Sequence, residues 1–275
     1  MRHLDHAHAS LALLLHDLIT ERLHSSPMHL WPEMVLGVIL VGARLRRLVP
    51  AEHLSTDSRE AVKLALGLVA TMTALLLGLL VSSAKNSFDT ARSEVIQMSA
   101  KIALLNRILV LYGPQTVDAR RALRDSVAEG VRRTWPPDGR RPARLEPNEQ
   151  MGDAVYAAIS RLAPQDEPQR ALKAQAVTLM VQLAELRSLV QAQAVSSVSK
   201  PLLIALVIWL VVIFLGFTVL APANATSTLA LFAGAFSVAC AVFIILELDY
   251  PFAGVVRIPS EPMTRTLDHL SKETN

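Results

Sequence analysis

The spacing of hydrophobic positions changes once along a single uninterrupted stretch of this chain. From Ala61 to Val81 the sequence reads AVKLALGLVATMTALLLGLLV, 21 residues with one charge, Lys63, near an end. At about 1.5 Å of rise per residue, a helix of that length crosses a hydrocarbon layer about 30 Å thick. Beyond Ser82 polar residues enter, and the apolar ones keep to one face. Phe88, Ala91, Val95, Met98, Ile102, Leu105, Leu109 and Tyr112 recur at helical spacing. Gly113-Pro114 is a stop signal. The pattern predicts one helix from Glu60 to Tyr112, greasy all round at first and one-sided afterwards. At the standard rise it would be roughly 80 Å long. Its dry stripe requires a partner.

Three further apolar runs surround this stretch. Residues 28–43 contain MVLGVILVGA, with Trp31 at one end and Arg44, Arg46 and Arg47 beyond the other, a distribution that suits two membrane interfaces. Leu202–Leu220 follows Pro201, which costs no hydrogen bond at a helix start. Leu229–Leu246 is the last run, after a turn at Ala221–Thr228. Between the second and third runs lie helical patterns at Gln115–Val131, Asn148–Leu162 and Glu167–Val198. The Asp138–Pro147 string DGRRPARLEP between the first two reads as a loop. The stripe Leu172, Ala176, Leu179, Leu183, Leu186, Val190, Ala194 and Val198 is the natural antiparallel partner of the Phe88–Tyr112 stripe. Nothing between the second and third runs looks like a strand.

The expected fold is all-α: a four-span helical integral membrane protein whose long helices extend into a helical extramembrane domain. The expected divisions are a polar, amphipathic opening at 1–27, two membrane helices in 28–83, the extramembrane domain at 84–200, two more membrane helices in 201–246, and an acidic motif with a tail at 247–275.

Charge changes this picture little. The net charge is +3, and its excess lies between Lys85 and Lys200, where 17 basic residues face 12 acidic ones. Such a balance suits anionic lipid headgroups more than nucleic acid. One cysteine, Cys240, excludes an internal disulfide framework. His3, His6 and His8 lack the cysteine or carboxylates that would complete a metal site. With no P-loop, zinc or dinucleotide spacing, no cofactor and no metal are expected. Nor is an enzyme, because no nucleophile or metal set stands beside the acidic residues.

Two groups of residues stand out. Gly67, Thr71, Ala74, Gly78, Ser82 and Lys85 share one helix face at spacings of three and four. Small residues let helices approach closely in lipid; the same face with its hydroxyls also suits the lining of a narrow pore. Threonine and serine can instead bond their own preceding carbonyls. Glu247, Asp249 and Arg257 form the second group, at the edge of the last apolar run. Carboxylates there need water or basic partners, and Lys85, Lys200 and Arg257 are the cations at hand.

Three strings carry a family resemblance: GLVATMTALLLGLLVSSAKNSFD at Gly67–Asp89, TWP at Thr134–Pro136, and LELDYPFAGVVRIPSEPM at Leu246–Met263. With them, the chain resembles the bestrophin-like bacterial membrane proteins grouped as a domain family of unknown function. The resemblance implies four spans, a helical domain inserted after the second, and, by its name, an oligomeric ion channel. It does not extend to a bestrophin aromatic constriction, since the second span has no aromatic residue before Phe88. The expected partners are further copies of the chain, the lipid bilayer with anionic headgroups, and inorganic ions. The expected location is the cell inner membrane, with the extramembrane domain cytoplasmic. A non-conducting scaffold or signalling module is the alternative.

Overall fold

The computed structural model describes residues 56–136, 149–193, 199–221, 224–252 and 255–274. The N-terminal histidines, the expected first span at 28–43, the 138–147 loop and the last two stripe positions, Ala194 and Val198, lie outside the described residues. The rest is helical: α1 (Thr56–Tyr112), α2 (Val117–Thr134), α3 (Glu149–Ser160), α4 (Glu167–Gln193), α5 (Lys200–Leu220), α6 (Ala225–Asp249) and α7 (Glu261–Thr274). No strand occurs among the described residues.

The chain divides into two compact units, with boundaries at Ala84/Lys85, after α4, and at Leu246/Glu247. The first holds the apolar part of α1 with α5 and most of α6. These helices are long and apolar enough to cross a membrane. Between 17% and 28% of the most apolar window of each is buried within the chain, the reverse of what a helix in a water-soluble core would show. Leu64, Leu68, Leu75 and Leu79 of α1, and Leu229, Phe232 and Phe236 of α6, are exposed. Hydrocarbon or another protein surface must cover them. The buried positions sit on narrow seams: Leu66, Thr73 and Leu80 on α1, Leu206, Val207 and Ile213 on α5, Ala235, Val242 and Ile245 on α6. On α5, Gly216 lies directly against Leu66 of α1. A Cβ added there would lie 2.6 Å from Leu66 Cδ1, so only glycine fits without displacement.

The second unit has a conventional core. Val95, Ile102, Leu105, Leu109 and Tyr112 of α1 pack with Leu123 and Val127 of α2, Val155 and Ile159 of α3, Leu179 and Leu183 of α4, and Met263 and Leu270 of α7. The α1 and α4 helices run antiparallel. Gln169 Nε2 donates to Tyr112 O at 3.2 Å, and further along Lys101 Nζ donates to Gln182 Oε1 at 2.7 Å.

Helix ends in this unit are satisfied locally. Gly113, at φ 120°, adopts a conformation that side chains disfavour, and so turns the chain out of α1. Thr116 then returns its hydroxyl to Leu109 O at 2.7 Å. Lys173 Nζ caps the end of α3 through Ser160 O and Leu162 O, each at 2.7 Å, placing a cation on the carbonyls that a helix terminus leaves unpaired.

Candidate functional site

The small-residue face of α1 begins in the first unit. Gly67, Thr71, Ala74, Gly78 and Ser82 are all exposed, on the side of the helix away from the Leu66–Thr73–Leu80 seam. A Cβ added at Gly67 or Gly78 would meet nothing within 4 Å. The described part of the chain therefore leaves this face open. Its polarity is lower than its composition suggests, because Thr71 donates its hydroxyl hydrogen to Gly67 O at 2.9 Å. Lys85, the last residue of the face, belongs to the second unit and pairs with Asp89 one turn on.

The acidic group is organised differently. Helix α6 continues through Glu247 and Asp249 instead of ending at Leu246, so both carboxylates occupy its last turn. Negative charge at that position opposes the helix dipole, and both residues are buried, at 7% and 5% exposure. Glu247 is compensated by the backbone. Its Oε2 accepts from Val255 N at 2.6 Å and Val256 N at 3.3 Å. The chain thus turns back over the helix end, and Ile258 N closes the turn on Pro251 O at 2.7 Å. Trp135, just past α2, holds the far side: its Nε1 donates to Ile258 O at 2.9 Å. The indole meets the Phe252 ring edge-on, with centroids 5.9 Å apart and planes at 71°. Such pairs add to the gain from apolar burial. Arg257 is exposed and makes no ion pair among the described residues. The cations Lys85 and Arg257 therefore do not meet Glu247, whose negative charge is met by backbone N–H groups.

A sequence model of the bestrophin-like domain matches residues 34–263. The chain belongs to the bestrophin-like family. No curated protein and no solved structure matches it.

The bestrophin-like match takes in both groups of residues, from the small face of α1 to the closed loop before α7. Within this bestrophin-like chain, the loop joins two strings that lie far apart in sequence, Thr134–Pro136 and Leu246–Met263, through the Trp135–Ile258 hydrogen bond. Trp135 and Phe252 carry structural roles that helical periodicity does not reveal, since both sit outside regular apolar repeats. A tryptophan followed by two prolines at a helix end was the available signal.

Proposed function

We propose that this bestrophin-like protein is a homo-oligomeric, ion-conducting membrane protein. Each copy would contribute the Gly67–Ser82 face of α1 to a shared pathway, with Lys85 at one mouth. The observation that carries this reading is the openness of the small face. The opposite side of α1 packs within the chain at Leu66, Thr73 and Leu80, while Gly67 and Gly78 have free space in front of them. Helices associate in lipid through small residues, so assembly of copies about this face would both bury it and bring Thr71 and Ser82 together. Membership of a bestrophin-like family supports the channel reading.

In this reading residues 28–43 form a fourth span, and the second unit faces the cytoplasm from an inner membrane. Arg92 and Arg257 belong to that side, against Arg44, Arg46, Arg47, Arg59 and Lys63 of the link between the first two spans, so the basic residues are split between the two sides. The test is ion flux through purified protein reconstituted in lipid vesicles, after its assembly state has been verified. Flux should appear, and replacing Gly78 with leucine should reduce it. Correctly assembled protein that passes no ions would count against conduction.

A second reading, a non-conducting scaffold or signalling module, draws on Thr71. Its hydroxyl hydrogen is already used within the helix, as in a sealed packing seam. Crosslinked copies without flux would favour that alternative.

A further inference from the structure

The second unit also contains a cleft. It is about 410 Å³ in volume and lies among α1, α2, α3 and α4. That size is within the range of about 300–1,000 Å³ typical of small-molecule sites. Its walls are mostly apolar, including Met98, Ile102, Leu123, Met180 and Leu183. One cation projects into it, Arg187 of α4. The guanidinium reaches over the first turns of α3, where a Cβ on Gly152 would stand 3.3 Å from Arg187 Nη1. A larger residue at 152 would push it aside.

The ion pairs of the second unit involve Lys85, Arg121, Arg124, Arg132, Arg133, Arg170 and Arg265; Arg187 forms none among the described residues. Asp153 also lines the cleft, but it is exposed and lies beyond 4 Å of the guanidinium. Burial lowers the pKa of Arg187 below its ordinary value. A partly buried cation in an apolar wall is costly unless an anion accompanies it. Its fork of donors matches a carboxylate in two-point contact.

We propose that this cleft binds a small amphipathic carboxylate, with its apolar body between the Met98–Ile102 and Met180–Leu183 walls and its carboxylate on Arg187. The proposal does not depend on ion conduction. Octanoate is a suitable probe, with octanol and acetate supplying each half of its chemistry alone.

The test uses the full chain in lipid nanodiscs and the arginine reagent phenylglyoxal, with site-by-site modification rates read by mass spectrometry. Octanoate should slow modification of Arg187 about tenfold at about ten times its Kd, by simple occupancy. Octanol and acetate at the same concentration should leave that rate nearly unchanged, as should octanoate at exposed Arg161. Ala184→Phe, which fills the cleft from α4, should abolish the protection while Arg187 stays modifiable and the melting temperature holds. Equal slowing by acetate would indicate general anion binding, and equal slowing by octanol would indicate apolar filling; either overturns the proposal. So would slowing at Arg161, protection that survives Ala184→Phe, or no slowing at all.

Discussion

Replacing Glu247 tests the loop that closes over the end of α6. One carboxylate oxygen accepts two backbone N–H groups there, at 2.6 Å from Val255 and 3.3 Å from Val256. The first is a short charge-assisted contact, and the second is long. Hydrogen bonds to charged groups contribute about 1.5–3 kcal/mol each, and neutral ones about 0.5–1.5 kcal/mol. Val255 and Val256 are exposed, so their N–H groups regain water when the carboxylate is removed. Loss of the pair is therefore set at about 2 kcal/mol for Glu247→Ala, one good charged contact, with little added for the longer one. Glu247→Gln keeps a neutral acceptor and should lose about 1 kcal/mol.

These values convert to opening equilibria at about 1.4 kcal/mol per factor of ten. Amide hydrogen exchange at Val255 and Val256 should then rise about 30-fold in Glu247→Ala and about fivefold in Glu247→Gln. Amides of α1 between Lys101 and Leu109 should not change, because they are bonded within α1 and none of them donates to Glu247. Unchanged exchange at Val255 and Val256 would refute the reasoning, and so would an equal rise at both sets of amides.

Other changes probe the two units separately. Tyr112 is 3% exposed and its hydroxyl has no hydrogen-bond partner among the described residues, so Tyr112→Phe should melt at the same temperature or higher, by up to about 1 kcal/mol; a clear drop would reveal a partner for the hydroxyl. Gly216→Ala should lower the detergent melting temperature by an overpacking cost of about 1–3 kcal/mol, because the new methyl collides with Leu66. Adding Leu66→Ala should recover part of that loss, and a double mutant no better than the sum of its parts would contradict the contact. Lys173→Met should cost about 1 kcal/mol in thermal unfolding and speed amide exchange at the end of α3, since Lys173 holds Ser160 O and Leu162 O; an unmoved melting curve would argue against the cap.

Periodicity made much of the helical fold legible. The stripe from Ala91 to Tyr112 reads directly as a dry face, and Ala91, Val95, Ile102, Leu105, Leu109 and Tyr112 are buried together. Gly113-Pro114 marked the end of α1 because a positive φ followed by proline cannot continue a helix. Other features were not legible. Apolar helices look alike whichever side packs inward, so composition did not reveal that Leu66, Thr73 and Leu80 face the chain while Gly67 and Gly78 face away. The partners of Glu247 are backbone N–H groups, which have no residue identity to read. Carboxylates beside an apolar run suggested side-chain cations, whereas for Glu247 the turn after α6 supplied main-chain donors. Arg187 sits between stripe positions of α4 and looks like one more solvated charge until the neighbouring helices enclose it.

Current through planar bilayers carrying the protein with Thr71→Cys in a Cys240→Ser background tests the central claim most directly. With Thr71 on a shared water-filled pathway, the protein conducts, and a charged, membrane-impermeant thiol reagent reduces the current of the variant; the Cys240→Ser control does not respond. Absence of current from assembled protein, or a current that stays unchanged after the reagent has labelled the introduced thiol, would contradict the account.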